Sequence, residues 1–226
     1  MGQSNRFKLV TAAAPIAAAV TKFGGQPHWV AAPQWPLSRL TEKPMQFIAQ
    51  IRLDPPLFAG VGGRMAYLFM SGDDEYVDST WEPDGGENAL VIQPGLYDGP
   101  SAPLRAGPSL YRLVEQPGQS HYEREPVEFG IESHLVQEPD YQPRDERAEW
   151  TAQATEAYVR GLSGNKIGGA PLFLQGDEFP PGATWRLVMQ LDSAAVPFFV
   201  NFGDAGVGYA FIDESERLGR FLWQSL

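Results

Sequence analysis

Residues 202–209 form the stretch of this sequence that is best suited to hold a ligand. Its glycines, among them Gly203 and Gly206, allow the backbone to approach a bound group closely. Asp204 supplies a carboxylate there, and Tyr209 follows shortly after it. Aspartate in such a stretch also commonly accepts backbone N–H groups within a tight turn. The residues therefore favour a turn, and a ligand site is the alternative.

Two further segments match known sites only in part. One is an acidic cluster whose oxygens could bind calcium, formed by Asp73, Asp74, Glu75 and Asp78. Its spacing matches no calcium-binding loop, so a solvated turn is expected. Residues 60–63 are glycine-rich like a phosphate-binding loop, but no helix with a lysine and a serine or threonine follows them. A hairpin loop is expected there instead.

The histidines and cysteines of the sequence indicate no metal site. His28, His121 and His134 lack the spacing of metal ligands, and the chain contains no cysteine. No metal ion or cofactor is therefore predicted, and no catalytic residue is assigned. The lack of cysteine fits a reducing compartment. The alanine-rich residues 9–19 are short and interrupted by Pro15, which argues against a signal peptide. The expected location is the cytoplasm.

The chain is acidic, with 28 acidic and 17 basic side chains and a formal net charge of −11. A surface of that sign repels phosphate backbones, so binding to nucleic acid is not expected. It suits a basic protein partner, because complementary charge raises the rate of encounter. The charge could also serve solubility alone. No apolar run reaches the roughly 18 residues of a membrane span, so none is predicted.

Several short motifs occur twice, once towards each end of the chain. The paired positions are residues 22–27 with 166–171, Gln50 with Gln190, Tyr67 with Tyr209, and Trp81 with Trp223. This similarity predicts an internal duplication. Paired glycines before a proline are typical of a shaped turn that leads into a strand. The residues to which a structural role is assigned are Lys22, Gly24, Gly25, Pro27, Lys166, Gly168, Gly169, Pro171, Gly203 and Gly206.

Alternating side chains predict a half-buried strand in each copy of the repeat. The alternation runs through residues 45–53 and 185–192, and Gln50 and Gln190 fall on the less apolar face of both. Further strands are expected at residues 64–70, 88–93, 207–212 and 107–113. An amphipathic helix is predicted from Pro143 to Gly161 or Gly164. It carries Trp150, Ala154, Ala157 and Tyr158 on its apolar side.

These elements predict a mainly antiparallel α+β fold, in which two β-rich units are related by an approximate two-fold axis and a helix packs on the sheet. A single domain is expected over residues 1–226. The first repeat unit spans about residues 22–82, and the second spans about residues 166–226. Between them lies an acidic, proline-rich segment with the helix, at about residues 83–165. Trp81 and Trp223 are expected to be buried in equivalent places.

The repeated motifs resemble those of the YwqG-like family of bacterial proteins. The resemblance rests on residues 22–27, 34–36, 44–51, 166–171, 187–192 and 203–212. Family members often carry tryptophan before the Gly-Asp-Ala-Gly turn, where this chain has Phe202. The resemblance implies a duplicated, β-rich, cytosolic bacterial protein in which no catalytic residues can be placed. Some relatives are suspected immunity partners of secreted toxins.

Two functions of different classes follow from these observations. The first is a non-catalytic interaction protein, of an immunity type, that binds a basic toxin or other basic protein. It rests on residues 115–149, which hold ten acidic and three basic side chains. The second is an enzyme or small-ligand-binding protein that uses the groove between the repeats. Its walls would include Trp35, Asp204 and Tyr209, because ligand sites favour concave junctions.

Overall fold

The computed structural model describes residues 2–59, 63–72, 78–115 and 122–226. Within these residues the chain is mainly antiparallel β with one α-helix, as the sequence predicts. The elements are β1 (Gly2–Thr11), β2 (Lys22–Gly24), β3 (Trp35–Pro36), β4 (Gln46–Arg52), β5 (Met65–Met70), β6 (Asn88–Gln93), β7 (Ser101–Ala102), β8 (Tyr111–Glu115), β9 (Tyr122–Pro126), β10 (Glu128–Glu138), α1 (Ala152–Leu162), β11 (Lys166–Ile167), β12 (Trp185–Asp192), β13 (Val207–Asp213) and β14 (Gly219–Gln224). Single 3₁₀ turns lie at Asp145–Arg147 and Ser193–Ala195.

Ten of these strands form one sheet in the order β14-β13-β12-β11-β1-β10-β2-β4-β5-β6. Its centre is the long antiparallel ladder between β1 and β10, which runs from Gly2 opposite Glu138 to Thr11 opposite Phe129. The sheet curls until its two edge strands approach each other. Near this seam the Leu96 N–H donates to the carbonyl of Arg217 over 2.7 Å. The sheet is therefore nearly closed, and β1, for which the sequence predicts no strand, lies at its middle.

Both faces of the curled sheet are covered by apolar side chains. The inner face carries one core that both ends of the chain share, with Phe23, Leu68, Leu191 and Phe221 among its members. The outer face carries two separate clusters, one around Tyr67 on the first half of the sheet and one around Tyr209 on the second. Because β5 is buried on both sides, its sequence is almost continuously apolar rather than alternating.

A bulge interrupts the alternation that the sequence predicts for β4 and β12. The ladder between β4 and β5 shifts between Phe47 and Ala49. Phe47 belongs to the outer cluster, whereas Ile48 and Ala49 belong to the inner core. The ladder between β12 and β13 shifts at the corresponding place, after Leu187. The prediction of one uniform apolar face is therefore wrong for the start of both strands, because a bulge adds a residue and reverses the side-chain parity.

Helix α1 begins later than the sequence predicts. Thr151 caps it, since the Thr151 side chain accepts a hydrogen bond from the N–H of Ala154 over 3.2 Å. Tyr158 and Leu162 are its buried residues. The guanidinium of Arg6, from β1, donates to carbonyls at the C-terminal end of the helix. Among the residues that the structure describes, no helix has the length and apolar character needed to cross a bilayer.

The expected match between Trp81 and Trp223 is wrong. Trp81 lies in a turn before β6 with 43% of its surface exposed, whereas Trp223 lies within β14 and is half-buried. The strand pairing shows which residues lie opposite the two tyrosines. Val91 lies opposite Tyr67, and Leu222 lies opposite Tyr209. The two tryptophans thus occupy different elements, and their similar spacing in the sequence reflects no shared packing.

Candidate functional site

The two Lys-x-Gly-Gly-x-Pro motifs form buried turns on the outer side of the sheet. The ammonium of Lys22 donates to the carbonyls of Ile16 and Gln26, over 2.8 and 2.6 Å, and to the carboxylate of Glu128 over 2.6 Å. Its three protons are thereby used. The Lys22 side chain therefore links its own glycine turn to strand β10.

Lys166 makes the corresponding contacts in the second half. Its ammonium donates to both oxygens of Glu138 over 3.1 Å and to the carbonyl of Ala170. Burial lowers the pKa of Lys166 to about 8, although the negative charge of Glu138 acts in the opposite direction. The two acids that serve the lysines, Glu128 and Glu138, both come from β10. Each lysine is therefore held by a glutamate of the central ladder.

The glycines of these turns are required by their conformation and their surroundings. Gly24 and Gly169 have φ angles of +69° and +78°. A Cβ atom on Gly24 would overlap the carbonyl of Val127, and one on Gly169 would overlap the carboxylate of Glu138. Pro27 and Pro171, which follow the two turns, are buried. The turns thus direct the chain outward over the outer face, where it runs as residues 26–32 and 170–176.

Side chains of the sheet hold these two outer segments in place. The hydroxyl of Tyr67 donates to the carbonyl of His28, and the hydroxyl of Tyr209 donates to the carbonyl of Leu172, each over 2.7 Å. Burial raises the pKa of Tyr67 to about 12 and also raises that of Tyr209. Both hydroxyls therefore remain protonated donors.

Aromatic rings from the outer segments and the sheet form a layer on each half. In the first half, Trp35 packs against Phe69 with 5.2 Å between ring centroids. In the second half, Phe179 packs against Phe211 at 5.5 Å. Trp35 and Phe179 each lie eight residues after the turn proline. The two layers are thus built from corresponding stretches of the sequence.

The two layers differ in how well they are covered. Trp35 is fully buried, and its indole N–H donates to the carbonyl of Met45 over 2.8 Å. A Cβ atom on Gly107 would lie 2.9 Å from the Trp35 ring, so the segment around Gly107 covers this layer closely. Phe179 has 38% of its surface exposed. The second aromatic layer is therefore open where the first is closed.

A cleft of about 370 Å³ lies at this open layer. It is lined by Gly2, Leu57, Phe58, Pro139, Asp140, Tyr141, Gly168, Gly169, Ala170, Pro171, Phe179, Trp185, Arg186 and Leu187. We call it the aromatic cleft. Leu57 and Phe58 come from the loop after β4, whereas Trp185 and Arg186 begin β12, so both halves of the sheet contribute to its walls. Its volume lies in the range of pockets that bind small organic molecules.

Arg186 brings a partly compensated positive charge to one wall of the aromatic cleft, which also carries the exposed carboxylate of Asp140. Arg186 and Arg64 both form ion pairs with the single carboxylate of Glu216. That carboxylate also accepts the N–H of Ala59 over 2.8 Å. Two guanidinium groups therefore share one carboxylate, which leaves a net charge of +1 in the trio. Arg186 is the member that lines the cleft, and 41% of its side-chain surface is exposed.

Tyr141 forms another wall of the aromatic cleft. Its ring meets Phe179 edge-on, with 5.2 Å between the centroids. Burial, and after it the neighbouring Asp177 carboxylate, raises the pKa of the Tyr141 hydroxyl. The hydroxyl thus stays protonated at neutral pH, and its oxygen is buried.

The sequence predicts a ligand groove walled by Trp35, Asp204 and Tyr209. The fold does not bring these three residues together. Trp35 and Tyr209 lie in the two different outer clusters, and both are fully buried. Asp204 is exposed in the turn before β13, where Gly203 has a φ of +75°. Its carbonyl accepts the N–H of Leu226 over 3.0 Å. Trp35 and Tyr209 therefore pack and form hydrogen bonds within the fold, whereas Asp204 lies in a surface turn.

The other sequence candidates lie largely outside the described residues. These are residues 60–62, the acids at 73–75 and His121. Within the described ranges, no group of three or more histidine, aspartate or glutamate side chains is placed to hold a metal ion. His134 is exposed on β10, and His28 lies in the first outer segment, where its N–H donates to Gln50.

Sequence reasoning gives no binding role to the residues that line the aromatic cleft, although it assigns a structural role to Gly168, Gly169 and Pro171. Phe179 was the one with a usable signal, because it follows Pro171 at the same interval by which Trp35 follows Pro27. Arg186 and Tyr141 gave no such signal. Their approach to Phe179 depends on how the chain after β10 returns to β12, which local patterns do not encode.

A family model described as a domain of unknown function (DUF1963) matches residues 69–218. The chain belongs to this family. The matched region covers about two thirds of the 226 residues, from within β5 to the residue before β14. It includes Tyr141, Phe179, Trp185 and Arg186, so most of the aromatic side chains of the cleft lie inside the DUF1963 region. No curated protein matches the chain.

Proposed function

We propose that this DUF1963 protein binds a small organic molecule in the aromatic cleft, and that the molecule combines a flat apolar body with one anionic group. The observation that carries the proposal is the contrast between Trp35 and Phe179. The layer around Trp35 is sealed by the protein itself, whereas Phe179 is 38% exposed on a concave surface. A bound molecule would cover Phe179 as the segment around Gly107 covers Trp35.

The chemistry of the walls supports this class of ligand. Aromatic rings favour stacked or edge-on contact with a flat partner. Phe58, Tyr141, Phe179 and Trp185 line the cleft, and Phe179 is the most exposed of the four. Arg186 shares the carboxylate of Glu216 with Arg64, so its guanidinium retains capacity to bind an anion. Arginine binds carboxylate and phosphate groups through two parallel hydrogen bonds. An aryl carboxylate is therefore the simplest probe that can contact both the aromatic rings and the guanidinium of Arg186.

The test is a thermal-shift screen with aryl carboxylates and their matched primary amides. A ligand at one hundred times its Kd adds about 2.7 kcal/mol to the free energy of unfolding. We expect the carboxylates to raise Tm more than the amides do. Phe179→Ala should weaken both series. Arg186→Gln should remove the preference for carboxylate and leave the binding of amides unchanged.

Arg112→Gln is the matched control for charge. Arg112 is also an exposed arginine in an ion pair, with Glu125 on the hairpin of β8 and β9, and it does not line the aromatic cleft. The carboxylate preference should survive this change. The proposal fails if no probe raises Tm, or if Arg186→Gln and Arg112→Gln have the same effect.

We further propose that the two halves of the sheet arose by duplication and are related by an approximate two-fold axis. The support is the order of the strands, with four on each side of the β1–β10 ladder. The axis would pass near the pair of Lys8 and Glu132 within that ladder. The bulges in β4 and β12 also correspond, as do the hydrogen bonds of Tyr67 and Tyr209. The YwqG-like assignment is part of the same proposal and rests on the motifs of the sequence.

A second candidate function is the binding of a basic protein partner by the acidic middle of the chain. The observation in its favour is the hairpin of β8 and β9. Every residue of β9 is exposed, with Tyr122 at 63%, and Leu113 on β8 is 47% exposed. Two of the ten acids in residues 115–149, Glu128 and Glu138, are committed to the buried lysines and cannot face a partner. An immunity role and a cytoplasmic location remain predictions of the sequence.

Capture of a partner from a lysate tests this second candidate. We expect Tyr122→Ser to abolish it, because the exposed ring would be the apolar anchor of the contact. Leu40→Ser is the control, since Leu40 is an exposed apolar side chain outside the hairpin. Equal loss in both variants, or capture that neither variant reduces, would remove the hairpin from consideration.

A further inference from the structure

A second cleft lies near the seam of the sheet, and none of its lining residues lines the aromatic cleft. Its volume is about 280 Å³, and it is lined by Trp81, Gln175, Glu178, Trp223, Gln224 and Ser225. We call it the tryptophan cleft. Trp81 belongs to the turn before β6, and Trp223 belongs to β14, so this cleft also joins residues from both ends of the chain.

The tryptophan cleft contains a carboxylate without a cation. Glu178 accepts a hydrogen bond from the side-chain amide of Gln224 over 2.9 Å. Across the parts of the chain that the structure describes, no arginine, lysine or histidine forms an ion pair with Glu178. The half-buried carboxylate of Glu178 is therefore the uncompensated charge of this cleft.

The side-chain amide of Gln224, which also lines the tryptophan cleft, is hydrogen-bonded within the protein. The side-chain oxygen of Gln224 accepts the N–H groups of Leu174 and Gln175, over 2.9 and 3.1 Å. Its nitrogen donates to the carbonyl of Gly176 and to Glu178, each over 2.9 Å. Gln224 thus fixes the position of Glu178 and keeps little hydrogen-bonding capacity for a ligand.

The two indole rings are the other notable feature of the cleft. Trp81 is 43% exposed, which is high for the residue type with the largest apolar surface. Trp223 is closely packed by the turn at Gly203, since a Cβ atom there would lie 2.9 Å from its ring. Indole is the side chain whose π face attracts cations most strongly, and such sites recognise quaternary ammonium groups.

We propose that the tryptophan cleft binds an organic cation, which lies against the indole rings of Trp81 and Trp223 with its charge beside Glu178. The ligand class is an alkylammonium or guanidinium group, either as a free small molecule or on a protein side chain. This site is separate from the aromatic cleft and does not depend on the function proposed for it. It does agree in sign with the net charge of −11.

The test uses the whole protein labelled with 5-fluorotryptophan. The chain has six tryptophans, and the spectra of Trp81→Phe and Trp223→Phe assign the ¹⁹F resonances of these two. Choline is the probe, and 3,3-dimethylbutanol is its uncharged counterpart of the same shape. We expect choline to shift the Trp81 and Trp223 resonances saturably, and we expect the alcohol to leave them in place.

Matched variants separate a local site from general attraction to an acidic surface. Glu178→Gln should weaken choline binding roughly 10-fold, because the nearest charge is lost. Glu156→Gln removes the same charge from an exposed position on α1 and should have no effect. Trp81→Ala should weaken binding by about 2- to 30-fold, the range expected for one cation–π contact. Arg186→Gln should leave choline binding unchanged, which distinguishes this site from the aromatic cleft.

A second titration identifies the source of the cation. Peptides that carry arginine or trimethyllysine are compared with choline on the same two resonances. Tighter binding of a peptide assigns the site to a protein side chain, and tighter binding of choline assigns it to a free small cation. If neither peptide nor choline shifts the Trp81 and Trp223 resonances, or if the uncharged alcohol binds equally well, the proposal is overturned.

Discussion

Gln50 and Gln190 make the same three hydrogen bonds in the two halves of the sheet. The oxygen of Gln50 accepts the N–H of His28 over 2.8 Å, and its nitrogen donates to two carbonyls of residues 18–20. The oxygen of Gln190 accepts the N–H of Leu172 over 2.9 Å, and its nitrogen donates to the carbonyls of Leu162 and Gly164. Each glutamine therefore joins the segment before its glycine turn to the segment after it.

Replacement of either glutamine should be costly. Gln190→Met keeps the approximate volume but leaves one N–H and two carbonyls without partners. Each buried polar group left unsatisfied costs about 1–3 kcal/mol, so a loss of about 2–4 kcal/mol in the free energy of unfolding is expected after partial rehydration. Gln50→Met should cost a similar amount. Gln137→Met, at an exposed position of β10, should cost less than about 0.5 kcal/mol in the same urea titration.

Unequal costs for the two glutamines would contradict this account. In particular, a loss below about 1 kcal/mol for either variant would mean that the backbone groups find water instead. The hydrogen bonds would then describe similar positions in the two halves without contributing to their stability.

Two glycines with similar backbone angles should respond differently to alanine. Gly169 and Gly182 have φ angles of +78° and +86°. A Cβ atom on Gly169 would overlap the Glu138 carboxylate that binds Lys166, whereas one on Gly182 would meet nothing within 4 Å. Gly182→Ala should therefore cost only the strain of a positive φ, about 1–2 kcal/mol. Gly169→Ala should cost at least twice as much, because it also displaces a buried ion pair.

Equilibrium unfolding of the two glycine variants measures this difference. The crystal structure of Gly169→Ala, if it folds, should show the Glu138 carboxylate moved away from Lys166. Equal stability of the two variants would mean that the Gly169 turn relaxes without breaking the ion pair.

Local patterns in the sequence predict most of the strands but not the way in which the sheet is assembled. The sequence predicts a strand at residues 88–93, with the bounds that β6 has. By contrast, local patterns predict no strand at β1, because its place beside β10 depends on a partner more than a hundred residues away. The bulges in β4 and β12 were also missed, since an inserted residue leaves no mark on composition.

The candidate site was predictable only where it repeats a local motif. Phe179 follows the second glycine turn as Trp35 follows the first, so its position on the outer face could be anticipated. The ion pair between Arg64 and Glu216 could not, because it depends on the curvature that brings the loop after β4 to the turn between β13 and β14. The different exposure of Trp35 and Phe179 could not be predicted either, because the segment around Gly107 that covers Trp35 is distant from it in the sequence.

Truncation of two tryptophans should separate buried from exposed positions. Trp35→Ala should cost about 3–5 kcal/mol, because the ring is fully buried and its N–H is bonded to Met45. Trp81→Ala should cost less than about 1 kcal/mol, since much of its ring already contacts water. Chemical denaturation of both variants, followed by far-ultraviolet circular dichroism, measures the two values. A large cost at Trp81 would show that its turn is important for closing the seam.

Lys166 should make the stability of the protein depend on pH in the alkaline range. Burial lowers its pKa in the folded protein to about 8, from 10.5 in the unfolded chain. Between these values the unfolded state binds more protons than the folded state, so stability rises with pH as far as this group is concerned. Below pH 8 the cost of burying the charged ammonium is present in full, and it is relieved as the pH rises towards 10.5.

Two measurements check the behaviour of Lys166. The chain has only four lysines, so the ¹³Cε resonances of labelled lysine can be followed individually, and the one absent from Lys166→Met should titrate near pH 8. The free energy of unfolding of the native protein, relative to that of Lys166→Met, should increase between pH 8 and 10.5. Tyrosines that titrate in this range are common to both proteins and cancel in the difference. A Lys166 resonance that titrates at 10.5 would mean that the charge of Glu138 offsets the burial of Lys166 in full.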